Sequence, residues 1–264
     1  MSLRAAICEG GPGLVGTLLI IGVFDEFPRT AATVLAPDIQ AEFGISDTTL
    51  LGIIGLVGVA LVLTTLPAAS LGDRIRRTWV VGWATVMVAA ACVFAGLVPN
   101  AFLLAVALTL SGIGVGARMP NASSLLADGY PLEARARIFA LEGASRPIGQ
   151  VLGPVYAGLV AGAIGADDGW RWVYLILSIP VLVVGLAALF QKDPPRGQYE
   201  QKAVLGATLD SDEGEPPVLL SAAFVRLRKV RSFYFVAVGI GVLGFALVSV
   251  PNLISLMLEE KYGY

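Results

Sequence analysis

Long apolar runs, broken at short intervals by clusters of charge, set the pattern of this chain. A bilayer core of about 30 Å is crossed by a helix of roughly 20 apolar residues. Runs of that length cover about 12–36, 48–71, 78–98, 101–126, 138–164, 171–190 and 232–258. The pattern predicts an all-α membrane protein with about seven transmembrane helices. The first run is not read as a cleaved leader, because it is too long and holds Asp25, Glu26 and Arg29.

The 191–231 stretch is the one polar interval. Its Lys192-Asp193-Pro194-Pro195-Arg196-Gly197 run stops a helix, and Asp210 to Pro217 has linker composition. Three regions follow: a six-helix bundle over 1–190, a linker over 191–231, and one further helix over 232–264.

Charge orients the spans. The N-terminus and the loops sharing its side carry thirteen basic residues, whereas the opposite side has only Arg171 and Lys261. Cytoplasmic loops are the ones enriched in Lys and Arg, so the N-terminus and the 191–231 segment are expected in the cytoplasm. Fourteen Arg against four Lys point by association to a bacterial source and hence to the cell (inner) membrane.

Of the 264 residues, 56% are hydrophobic and 14% charged, well off the balance of a water-soluble domain. With Lys and Arg at 18 and Asp and Glu at 20, no basic excess exists to attract nucleic acid. Histidine is absent and only Cys8 and Cys92 are present. That leaves no metal site, no disulfide framework and no Ser-His-Asp triad, and no cofactor motif is found. The Gly112, Gly114, Gly116 series lies inside an apolar span with no following Lys-Ser/Thr, so it is not a phosphate loop. An enzyme is therefore not expected. Residues 232–258 contain no lysine, which argues against a retinal-binding protein.

Ionisable residues inside spans cost roughly 2.5–3.5 kcal/mol on insertion scales and mark pathways or partners. Asp25 and Arg29 are four apart on one helical face and are expected to pair, with Glu26 about 100° away needing its own partner. Pro28 is expected to kink span one. Arg118 lies deep in span four. Without histidine, a proton handled near neutral pH must sit on a buried carboxylate. The candidate proton- and substrate-binding set is Asp25, Glu26, Arg29 and Arg118, a structural Asp25–Arg29 pair being the plainer reading. Glu142 and Arg146, another i,i+4 pair, are expected to form a local pair or a latch.

Three motifs add a resemblance. Ala69-Ser70-Leu71-Gly72-Asp73-Arg74-Ile75-Arg76-Arg77 resembles the loop 2–3 signature G-x-x-x-D-R-x-G-R-[KR] of the major facilitator superfamily, matching at Asp73, Arg74 and Arg77. Ala69, Arg76 and Thr78 depart from it. Gly149 to Gly158 is similar to the antiporter element G-x-x-x-G-P-x-x-G-G, with Ala157 in place of one Gly. Gly112-Ile113-Gly114-Val115-Gly116, Pro120, Asp128, Pro131 and Arg135 follow the pattern common in span four and its loop.

The resemblance implies a secondary active transporter moving a small organic solute, amphiphilic, drug-like or lipid-like, with proton coupling and alternating access. It implies a gate at Gly72, Asp73, Arg74 and Arg77, where the acid docks on a helix end of the other half. Gly149, Gly153, Pro154 and Gly158 then form a helix-packing seam. Relatives have twelve helices, so this chain would hold the N-terminal half and helix seven, truncated before the C-terminal half that a complete transporter needs. Span one and Gly169-Trp170-Arg171-Trp172 also look like spinster-type lipid transporters, with drug:proton antiporters as the other branch. Read without the resemblance, Trp170 and Trp172 are interfacial anchors. The alternatives are a non-transporting fragment of such a transporter and, further off, a seven-helix receptor-like protein.

Overall fold

The computed structural model describes residues 3–165, 168–205 and scattered positions between 229 and 242. The chain divides into two units at Glu215/Pro216, and the first of them carries the helix bundle. The described positions between 231 and 242 are helical; the rest of the predicted seventh span, and most of the linker, lie outside the described residues.

The first unit contains helices α1 (Leu3–Gly10), α2 (Pro12–Phe24), α3 (Phe27–Val34), α4 (Ala36–Phe43), α5 (Asp47–Gly72), α6 (Arg77–Leu97), α7 (Ala101–Gly129), α8 (Arg135–Ile164), α9 (Gly169–Leu189) and α10 (Gln198–Leu205). A 3-10 turn at Leu132–Ala134 leads into α8. Five of these are long and apolar enough to cross a membrane, and up to six if the bent segment Leu3–Gly10 plus Pro12–Val34 forms one span. The described elements therefore match the first six predicted spans in place.

Local chemistry sets the ends. Ser46 accepts the Thr49 amide at 3.3 Å and Asn100 accepts that of Leu103 at 3.0 Å, capping α5 and α7. Gly11, at φ 90°, makes the 104° corner between α1 and α2, with Pro12 opening the new helix where its missing amide costs nothing. Span one keeps its helical path through Asp25 and Glu26, both having right-handed helical backbone angles. Asp25 and Glu26 separate α2 from α3, and Pro28 stands in the first turn of α3.

Glycine lets α7 lie wedged between two neighbours. A Cβ on Gly112 or Gly116 would stand 2.6 or 2.3 Å from the carbonyl oxygens of Val57 and Leu61 on α5. A Cβ on Gly114 would meet the Ala84 carbonyl of α6 at 2.7 Å. The alternation of glycines thus allows backbone contact on both sides of one helix.

The seam between α8 and span one follows the same logic with one correction. Gly149 and Gly153 face Val23 and Thr30, and Pro154 falls in the same stretch of α8. Gly158, expected in the seam, has open space around it; Ala157 is the buried residue. Four-residue spacing from Gly149 and Gly153 arrives at 157, so Gly158 falls one step off the face.

Apolar burial is split in two. One cluster gathers Phe27, Ile39, Leu104, Trp170 and Leu177; the other gathers Leu18, Ile21, Leu125, Tyr130 and Ile138. Along each helix the polar residues Asp25 and Arg118 fall between the clusters. Leu51, Val59, Leu63, Val151 and Leu159 stay exposed on α5 and α8, an apolar surface suited to lipid or another helix bundle.

Candidate functional site

The junction of α2 and α3 in span one holds the site. About 100° apart on a helical path, Asp25 faces α7 while Glu26 faces Arg29 and Gln150 of α8. Asp25 Oδ2 lies 2.6 Å from Arg118 Nε, both side chains almost wholly buried. The expected Asp25–Arg29 pair does not form. Arg29 Nη2 instead bonds Glu26 Oε2 at 2.8 Å, three residues back on a helical face, while Asp25 is taken by Arg118. Gln150 of α8 donates to the same oxygen at 3.4 Å.

Asp25, Glu26, Pro28 and Arg29 form one wall of a recess of about 500 Å³ including its open mouth. Ile54, Val57 and Leu61 of α5 and Leu108, Ser111 and Val115 of α7 form the others. Arg118 follows Ser111 and Val115 on the same face of α7, one turn beyond the lining. Asp25 thus touches both the recess and the arginine behind it. Arg146 of α8, expected to pair with Glu142, makes no such ion pair among the described residues.

The second expected group is divided. Asp73 and Arg74 are exposed, Gly72 is buried against the Asn121 side chain, and Arg77 is buried inside the unit. Arg77 pairs with Asp128 of α7 and, at 2.8 Å, with Asp193, and donates to Ser124 Oγ and Pro194 O at 2.8 and 2.6 Å. Asp193 Oδ2 also accepts the Arg77 amide at 2.6 Å, capping the start of α6. Arg196 donates to the carbonyls of Gly72 and Asp73 at 2.6 and 2.7 Å, satisfying the end of α5. Gly197 N bonds Asp128 Oδ1 at 3.0 Å. The stretch 191–197, legible in sequence only as a helix stop, straps the ends of α5, α6 and α7 together.

At the other end Trp170 is fully buried, its Nε1 donating to Glu42 Oε2 at 2.5 Å, and Arg171 pairs with Glu42. The interfacial-anchor reading fails for Trp170, whose ring packs edge-on against Phe43 and Tyr174; Trp172 remains exposed.

Comparison with known proteins accords with this architecture. Over 198 residues the chain is 30% identical to an uncharacterized MFS-type transporter of Mycobacterium tuberculosis, covering 70% of this chain and 28% of that one. It is 30% identical over 194 residues to a probable actinorhodin transporter of Streptomyces coelicolor, covering 70% and 33%. Among solved structures, a bacterial homolog of the human lysosomal transporter Spinster, inward-facing and occupied, superposes with a TM-score of 0.65 at 26% identity, covering 71% of this chain and 46% of that one. The chain spans about a third of the length of these two curated relatives. The profile of the Major Facilitator Superfamily matches residues 18–264, and the chain belongs to that family of multi-pass membrane proteins.

Proposed function

We propose that this chain supplies the N-terminal bundle of a secondary active transporter, moving a small organic solute by alternating access with proton coupling. The carrying observation is that Asp25 lines the recess between span one, α5 and α7 while touching Arg118 on its far side. A buried carboxylate is held ionised by an arginine beside it and binds a proton when that arginine is drawn away. Movement that exchanges these two environments couples proton release to access. Glu26 and Arg29 form the mouth, where their mutual pairing leaves Asp25 to Arg118.

Alternating access needs an opposing bundle. In this reading residues 191–231 connect the halves and 232–258 provide the first helix of the second. The exposed Asp73 and Arg74 then meet that second half, while Gly72 and Arg77 hold the loop in place from within. The N-terminus and the 191–197 strap lie on the cytoplasmic side of a bacterial inner membrane, as the charge asymmetry requires. The similarity to a probable actinorhodin transporter supports an organic solute.

The test is reconstitution of the full gene product in liposomes with an imposed pH gradient and a panel of amphiphilic solutes. Asp25→Asn is expected to abolish pH-driven movement and Glu26→Gln to reduce it. Unchanged pH dependence in both variants ends the proton role; absence of solute movement in the unsubstituted protein ends the transporter reading.

A further inference from the structure

Asn121 of α7 is a polar side chain buried inside an apolar span, 2% exposed. Its Nδ2 donates across the helix interface to the Ala68 carbonyl of α5 at 3.0 Å, and back to the Ala117 carbonyl of its own helix at 3.0 Å. Its Oδ1 occupies the place that a Cβ of residue 72 would take. Gly72 therefore admits this side chain, and Asn121 meets the last turn of α5 at two points.

That turn needs a hold from outside its own helix. Pro67 has no amide to give the Leu63 carbonyl, so the chain beyond it is hinged to the helix before it. Thr64 and Thr65 donate their hydroxyls to the carbonyls of Ala60 and Leu61 at 2.7 and 2.8 Å, a pattern that bends helices at the same level. On the facing helix Pro120 stands directly before Asn121. Two proline-weakened helices thus meet at one side-chain amide, a group that ties helices together in an apolar layer. Past the hinged turn come Asp73 and Arg74, both exposed. Arg196 holds the carbonyls of Gly72 and Asp73 from one side, and Asn121 holds the turn from the other.

We infer that Asn121 is the positioning residue of the 73–76 loop. Its amide fixes the turn 68–72 against α7 and so sets where Asp73 and Arg74 stand toward the second half. This rests on the reading of that loop as a gate and adds the residue through which the gate is aimed. Gly72 is needed because a methyl there displaces the amide. The amide is needed because Pro67 leaves the turn without a direction fixed by the helix.

The test uses the full gene product in lipid nanodiscs, its native cysteines changed to serine and Ile75→Cys added as a reporter. Ile75 lies in the loop and is 43% exposed. The readout is the rate of labelling by fluorescein maleimide, which needs no solute. Docking on the second half shields this position, so Asp73→Asn is expected to speed labelling about tenfold, the worth of one hydrogen bond to a charged group. Asn121→Ala is expected to speed it to a similar degree. Combined, the two effects do not add, because both act through the placement of Asp73. Gly72→Ala displaces the amide and speeds labelling as well. Gly72→Ala together with Asn121→Ala gives the methyl room. Its melting temperature rises above that of Gly72→Ala while labelling stays fast, a split that a packing role alone would not produce.

The inference is overturned if Asn121→Ala labels at the parent rate, or if its effect and that of Asp73→Asn multiply to about a hundredfold. It is also overturned if the Gly72→Ala, Asn121→Ala pair returns to the parent rate. Should Asn121→Ala fail to fold, Gly72→Ala, alone and with Asp73→Asn, carries the same test. The two readings separate. An unchanged rate in Asp73→Asn beside fast labelling in Asn121→Ala removes the gate alone; the reverse removes the positioning role alone.

Discussion

Asp193 holds Arg77 by both its backbone and its side chain, accepting the amide at 2.6 Å on Oδ2 and the guanidinium Nη2 at 2.8 Å on Oδ1. One carboxylate therefore caps α6 and neutralises a buried cation. Asp193→Ala removes both contacts and leaves Asp128 as the one carboxylate paired with Arg77. A loss of about 3 kcal/mol is expected, from the range for breaking a buried pair. Asp193→Asn keeps an acceptor for the amide and is expected to lose less. Thermal unfolding in detergent measures the difference; equal melting temperatures for wild type and Asp193→Ala would show that the strap adds no stability.

The α8 seam predicts opposite outcomes for two glycines of one motif. A Cβ at Gly149 would sit 2.3 Å from the Val23 carbonyl, backbone that cannot swing aside, whereas Gly158 faces open space. Gly149→Ala is expected to destabilise by about 1–3 kcal/mol through overpacking. Gly158→Ala should be neutral or stabilising by about 0.5–1 kcal/mol, the helix preference for Ala over Gly. Denaturant titration of both variants checks the contrast, and equal behaviour would move the seam off this face.

Trp170→Phe keeps an aromatic ring among Phe43 and Tyr174 but deletes the Nε1 donor to Glu42. A hydrogen bond to a charged group is worth about 1.5–3 kcal/mol, so a loss in that range is expected. Glu42→Gln preserves an acceptor and should cost less. A Trp170→Phe variant as stable as wild type would mean that the buried bond contributes nothing.

The Arg135–Glu200 pair ties α10 to the start of α8. The Arg135 hydrogen bond, its largest cause, holds the Glu200 carboxyl below the usual glutamate value of 4.5. A carboxyl lowered in the folded state stabilises at pH above that value, and the contribution disappears as pH falls through the folded pKa. Hydrogen exchange over 198–205 should therefore quicken as the pH falls below about 4.5, after correction for the intrinsic rate. In Glu200→Gln the corrected exchange should be fast already at neutral pH and flat across the same window. A pH response equal in both proteins would assign it to another group.

The first six spans are legible in the sequence because apolar runs of bilayer length permit one structure only, and lipid leaves no alternative to the helix. Partner choice inside the bundle is less so. The Asp25–Arg29 expectation fails because a helix brings Arg29 within reach of both Glu26, three residues back, and Asp25, four back, and Arg118 of α7 takes Asp25. Arg118 can be named from its depth in span four. Its choice of Asp25 over Glu26 cannot, since that depends on how span one is rotated against α7. Trp170 sits at a span end, where a tryptophan normally anchors to the interface. Glu42, 128 residues earlier, and the rings of Phe43 and Tyr174 explain its burial. The 191–197 strap is hidden because Pro and charge mark a loop without saying whether it is tethered.

The wedging of α7 by its alternating glycines has a mechanical result. Carbonyl-to-backbone contacts admit no sliding without steric collision, so α5, α6 and α7 travel as one piece, and α9 goes with α6. Span one and α8 make a second piece, joined to each other through Gly149 and Gly153. Asp25 belongs to the second piece and Arg118 to the first. Shear between them bears on that 2.6 Å contact together with the hydrogen bonds of Tyr156 to Val173 O and of Tyr174 to Pro28 O, so a charged pair and two tyrosines bridge the sliding surface and register its movement.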